Sequence, residues 1–253
     1  MRSSAINPVR TYRLGEEYER VKRKARKKLG VFAEDTKVVE FHDEKKTLQF
    51  ATELLIPNKR PSRPRIMLLF SNPHPHSIQQ RMFLSPSTKK GENLFWSIME
   101  EAGWFKLPEQ RRSPEVLRDF FLNVRYREPF ELCFCCYYAF PTRMPEEIKK
   151  IFGEFFDRHI QEEARKEFKE RVSEAGIEEI VTFNKSIFNL ITGQKLKRYI
   201  SDLKHGAIIE GAVQGTTKSI PVFLTYPTGW RYHPDFRTLR AQSLRAIRVN
   251  LIK

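Results

Sequence analysis

From residue 64 onward the chain alternates short, unbroken apolar runs with longer stretches whose apolar residues recur at helical spacing. The run 66–71 is apolar almost throughout, as a strand covered on both faces must be, and it stops at Asn72-Pro73. Residues 130–140 read as a second buried strand, halted by Pro141-Thr142-Arg143-Met144-Pro145. Residues 178–183 and 220–225 read as a third and a fourth. Helices fall between them. Residues 93–102 place Leu94, Phe95, Ile98 and Met99 on one side and stop at Gly103. Residues 113–122 open on Ser113-Pro114, an N-cap followed by a first helical proline. The spacing predicts one long helix over 145–175, with Ile148, Phe152, Phe155, His159 and Val172 as its buried stripe and Gly176 as its stop. Another helix starts over 185–191, and a last one runs from Asp235, its cap, toward the C-terminus. Residues 193–217 contain four glycines and read mostly as loop.

Strands alternating with helices build a parallel sheet covered on both sides. The predicted fold is therefore α/β: three layers, α/β/α, around a central, mostly parallel four-stranded sheet. Ligands of such sheets bind at the carboxyl ends of the strands. Those ends carry Asn72-Pro73-His74, Pro141-Thr142-Arg143, Asn184-Lys185 and Tyr226-Pro227-Thr228-Gly229-Trp230, and the four clusters are expected to converge. Upstream the pattern changes. Residues 1–15 read as flexible. Residues 16–29 read as an amphipathic helix with Tyr18, Val21, Ala25 and Leu29 inward and Gly30 as its stop. Residues 38–41 and 47–51 read as a hairpin. A Pro/Arg/Lys connector covers 57–64. The predicted organisation is a basic helix-and-hairpin extension over 1–60, packed on an α/β domain over 61–253.

Composition adds a partner to this picture. The 253 residues are 40% hydrophobic, enough for a sizeable core, and 20 are Phe, which leaves rings for stacking on flat ligands. The formal charge is +15, a balance that usually means a polyanionic partner; a merely soluble basic surface is the plainer alternative. Residues 1–30 hold ten Lys/Arg against Glu16, Glu17 and Glu19, a local excess of +7. Residues 227–253 hold six against Asp235, an excess of +5. Such clustering suits a surface that tracks phosphates. Cys133, Cys135 and Cys136 are odd in number and wrongly spaced for zinc or an iron–sulfur cluster, so they read as buried free thiols in a reducing compartment. His74 and His76 have no Asp, Glu or Cys close by in sequence, so neither a metal nor another cofactor is expected. No run approaches a membrane span and the N-terminus lacks a hydrophobic signal region. The expectation is an intracellular monomer, of the cytoplasm and nucleoid or of the nucleus, with no membrane partner. The chain has no GxxxxGK[ST], GxGxxG or GxSxG motif, which weighs against nucleotide hydrolysis, dinucleotide redox chemistry and α/β-hydrolase chemistry.

The strand-end segments carry a resemblance. Asn72-Pro73, Phe83, Asn93-Leu94-Phe95-Trp96 and Ala102-Gly103-Trp104 resemble the first motif and following helix of the uracil-DNA glycosylase superfamily. The similarity is strongest to its mismatch-specific uracil/thymine branch, where a strand ends in Gly-x-Asn-Pro-Gly. Phe183-Asn184-Lys185-Ser186-Ile187-Phe188 is similar to that branch's Leu-Gly-Lys-x-Ala-Phe, and Leu224-Thr225-Tyr226-Pro227-Thr228-Gly229-Trp230 to its wedge loop. Phe140-Pro141-Thr142-Arg143 resembles the Pro-rich loop after the second strand. The likeness spans about residues 64–250. It departs from the family at Phe70 and His74, which replace both motif glycines, and at Tyr226, where the superfamily usually has His or Asn.

The resemblance implies a monofunctional DNA glycosylase of base excision repair. Such an enzyme flips uracil or another deaminated base out of the helix and hydrolyses its N-glycosidic bond. It implies Asn72 as the residue that orients water and Tyr226 as a partner of the leaving base. It implies His74, Phe83 and Cys133 as base contacts, with Phe83 the stacking platform. Read alone, Phe83 is ordinary core. Arg143, Lys185, Thr228, Gly229 and Arg231 would hold DNA, with Arg237 and Arg240 on the following helix, and Trp230 would fill the gap left by the flipped base. The expected partner is DNA, single-stranded or mismatched duplex, with RNA left open. A catalytically silent nucleic-acid-binding protein of the same fold is the alternative, motivated by the missing glycines and by Tyr226.

Overall fold

The computed structural model describes residues 7–57, 61–85, 93–110, 113–197, 199–216, 218–227 and 233–252. The N-terminal part forms β1 (Val9–Arg13), α1 (Tyr18–Leu29), β2 (Val39–His42) and β3 (Thr47–Ala51). Next come β4 (Leu54–Leu55), β5 (Arg65–Phe70), α2 (Pro75–Gln80), α3 (Leu94–Glu101), α4 (Pro114–Leu122) and β6 (Glu131–Cys136). They are followed by α5 (Glu146–Phe152), α6 (Gln161–Glu174), β7 (Ile177–Thr182), α7 (Lys185–Thr192), α8 (Tyr199–Lys204), β8 (Ile209–Ala212), β9 (Pro221–Leu224) and α9 (Phe236–Leu251).

The main sheet has the order β4-β6-β5-β7-β9-β8. Its centre, β6-β5-β7-β9, is parallel and consists of the four strands that the apolar runs predict. It has six strands rather than four, because β4 and β8 add antiparallel edges. Neither edge has a sequence signal of its own. β4 is two residues long, and β8 lies in the glycine-containing stretch read as loop. Successive side chains of the central strands point to opposite faces. Ile66, Leu68, Phe134, Val181 and Phe223 face α3, α4 and α9, while Met67, Leu69, Cys133, Ile180 and Val222 face α6 and α7. Helices thus cover both faces, which is why the runs are apolar throughout. No helix among the described residues is long and apolar enough to cross a membrane.

The N-terminal part is a three-stranded antiparallel sheet, β1-β3-β2, with α1 packed on it. Residues 9–13, expected to be flexible, are a strand whose register on β3 is set by the hairpin, with Tyr12 turned inward. Tyr18, Val21, Ala25 and Leu29 form the buried stripe of α1, as their spacing predicts. This unit shares a core with Ile78 of α2, Phe140, and Ile148, Ile151 and Phe152 of α5, so it leans on the region where β5 and β6 end.

The single long helix predicted over 145–175 is broken. α5 ends at Gly153, which has φ +59°, and a short π-helical stretch, Phe156–Ile160, precedes α6. The glycine's positive φ ends the helix locally, and a residue far away in sequence meets the end. Arg20 of α1 donates to the carbonyls of Phe152 (2.6 Å) and Ile151 (3.4 Å), two acceptors at the end of α5. The guanidinium fills the space beside Gly153, where a Cβ would lie 2.9 Å from Nη1.

Candidate functional site at the carboxyl ends of the parallel strands

Backbone bonds knit the strand ends together. Tyr137 N–H donates to Phe70 O and Tyr138 N–H to Ser71 O, both at 2.8 Å, and Thr142 N–H donates to Pro73 O at 3.1 Å. On the other side of β5, the Thr182 hydroxyl donates to Leu69 O at 3.1 Å, and Thr225 N–H reaches Thr182 O at 3.1 Å. The segments that leave β6, β5, β7 and β9 therefore start side by side.

Asn72 is half-buried and keyed into this seam. Its Nδ2 faces Thr142 O (2.8 Å), Thr142 Oγ1 (3.0 Å) and Pro73 O (3.0 Å), and its Oδ1 accepts from the Ser71 hydroxyl at 3.1 Å. The amide's two protons are thus committed to the fold. Its oxygen, a two-lone-pair acceptor with one bond made, keeps capacity for a further donor such as water.

His74 caps α2, its Nδ1 accepting the His76 N–H at 3.2 Å. With Nδ1 as acceptor, the neutral ring carries its proton on Nε2. His74 is exposed as a residue. Partial enclosure of its ring first, then the neighbouring His76 and Arg143, hold its pKa below the ordinary 6.5. Arg143 is exposed, its guanidinium 6.0 Å from the Phe32 ring. Lys185 opens α7 with its Nζ 5.2 Å from the Tyr199 ring, and Asn184 caps that helix by accepting from Ser186 and Ile187.

Other expected contacts are placed differently. Phe83 is 3% exposed and packs against Phe70 and Phe134, each with centroids 5.8 Å away. It is core, and its ring presents no free face for a base. Cys133 is fully buried in mid-strand, opposite Met67, and burial pushes its thiol up to about 12. The two residues also sit on opposite faces of the sheet, so they cannot line one pocket. Tyr226 is buried too, and burial, with Asp235 and Tyr199, raises its hydroxyl pKa. Its carbonyl accepts from Arg240 Nε (2.9 Å) and Nη2 (2.6 Å). Thr228, Gly229, Trp230 and Arg231 lie outside the described residues.

Part of the clustered positive charge is compensated within the chain. Arg10 pairs with Glu167, Lys22 with Asp43 and Lys28 with Glu147. Arg237 pairs with Glu101 and Arg248 with Glu128, while Arg245 donates to the Glu101 carbonyl. Arg240, expected on phosphate, is buried over the rings of Phe183 and Phe236. Among the described residues at the strand ends, Arg143 and the half-buried Lys185 carry positive charge, and the neutral ring of His74 adds a donor.

Glu53 is a residue that sequence reasoning missed. It precedes β4, whose pairing of Leu54 with Cys135 puts it across from Cys136, at the carboxyl end of β6. It is 4% exposed and its Oε1 has no hydrogen-bond partner. Burial pushes its pKa up to about 8, opposed by the backbone N–H of His74. A trace was visible: Thr52-Glu53 is a polar pair set between Phe50-Ala51 and Leu54-Leu55. A scan of protein-family models and a search of curated proteins find no match to this chain.

Proposed function

We propose that the chain is an N-glycosyl hydrolase that removes uracil or another deaminated base from DNA. The observation that carries this reading is the state of Asn72. Its amide protons are locked to the neighbouring loop while its oxygen keeps an open lone pair, the preorganised state that orienting a water requires. In the proposed reaction the C1′–N bond breaks with its electron pair moving to the base. The water held by Asn72 Oδ1 bonds to the sugar carbon, and its proton is released. The neutral ring of His74 supplies a donor for a carbonyl oxygen of the departing base. Arg143 and Lys185 supply positive charge for the flanking phosphates.

The test is incubation with uracil-, hypoxanthine- and thymine-mismatch duplexes, followed by alkaline cleavage of abasic sites. Uracil-dependent nicking that disappears in Asn72→Ala is expected. Nicking that survives unchanged in that variant refutes the assigned role. The second reading is a catalytically silent nucleic-acid-binding protein. The burial of Phe83 and Cys133 favours it, since a base pocket at the strand ends would lack both expected contacts. Salt-sensitive binding to undamaged nucleic acid, with no product from any base, would establish that reading instead.

A further inference from the structure

A carboxyl group without a cation is costly to bury, and Glu53 has none: among the described residues no Lys, Arg or His forms an ion pair with it. The β4–β6 pairing sets it beside Cys136, the last residue of β6. The backbone N–H of His74, in the loop between β5 and α2, faces it. That same loop holds Asn72, bonded across to Thr142. The carboxyl therefore meets the backbone of the segment that carries both proposed reacting side chains.

We propose that Glu53 is a positioning residue of the strand-end site: its buried carboxyl holds the loop between β5 and α2, through the His74 backbone, in the conformation that presents Asn72 and His74. The proposal rests on that loop being the working part of the site. A carboxyl in this position carries its proton at neutral pH, so the His74 N–H meets a neutral acceptor. Ionisation would replace it with an uncompensated charge and pull on the loop. Among the described residues, Cys136 on β6 is the titratable group that feels the Glu53 charge, while the His74 ring in the loop has His76 and Arg143 as its own neighbours. The windows of His74 and Cys136 lie apart from that of Glu53. The His74 ring titrates below 6.5, and burial holds the Cys136 thiol well above its usual range.

The experiment follows the His74 backbone amide by 15N NMR in the full chain from pH 6 to 10. A titration centred near 8 is expected in the native protein and none in Glu53→Gln. A native amide that stays flat across this range overturns the proposal, and that measurement needs no variant to fold. In the excision assay, Glu53→Gln should keep kcat within about twofold and lose any decline above pH 8. Glu53→Ala should lower kcat on the order of ten- to a hundredfold with little change in KM, the signature of misplaced groups rather than lost binding. Equal kcat in Glu53→Ala and native protein also overturns it. If no base is excised, the hydrolase reading fails, and the amide titration still decides the role of Glu53.

Discussion

Replacing Glu53 by Gln should change stability in a way that grows with pH. Burial raises the carboxyl from 4.5 to about 8 in the folded chain. Between those values the unfolded chain has released a proton that the folded chain still holds, so the unfolded state binds fewer protons and stability falls as pH rises. The loss is about 1.4 kcal/mol per pH unit across the window, on the order of 3 kcal/mol at pH 7 and about 5 kcal/mol once the pH passes 8. The group is almost wholly enclosed, so solvent does not screen the effect away. Glutamine does not titrate. Its extra amide proton adds a pH-independent cost of about 1–3 kcal/mol if it finds no acceptor, which shifts the curve without changing its slope. Urea unfolding of both proteins, followed by circular dichroism at pH 5, 6, 7 and 8, measures the difference directly. The variant should gain steadily on the native protein across this series. Two parallel stability curves would refute the reasoning, since a carboxyl that ionises normally has no buried, uncompensated site.

Other substitutions probe other parts of the argument. Gly153→Ala places a Cβ in a backbone with φ +59° and 2.9 Å from Arg20 Nη1; a loss of about 1–3 kcal/mol in thermal unfolding is expected, and an unchanged Tm would count against the clamp. Glu131 forms a buried pair with Arg65 at 3.1 Å and also accepts from Ser62. Glu131→Ala should cost about 3–5 kcal/mol by stranding the guanidinium, and a double substitution to apolar residues should recover much of that in denaturant titration. Phe83→Ala should cost about 3–5 kcal/mol as a core truncation. An exposed stacking platform would instead tolerate it with little change in unfolding midpoint.

Several features were legible in the chain because burial leaves a period. The central strands are apolar on both sides because helices cover both faces, and that shows in the unbroken runs. The stripe Tyr18, Val21, Ala25 and Leu29 identified α1, and the cap at Ser113 marked a helix start through a side chain that does accept the expected backbone proton.

The tertiary structure decided what no local period encodes. The pairing of β1, β4 and β8 depends on neighbours distant in sequence. The carbonyls at the Gly153 break are met by a guanidinium from α1, and the separation of Phe83 from Cys133 depends on which face each meets. Net charge is a sum over residues, whereas free charge depends on partners. At the basic ends Glu101, Glu128 and Glu167 stand beside Arg237, Arg248 and Arg10, pairings that no local pattern shows. Glu53 is the converse case. In sequence it is one glutamate among many, and it becomes chemically distinct only because folding encloses it beside the His74 backbone, with no ion pair among the described residues.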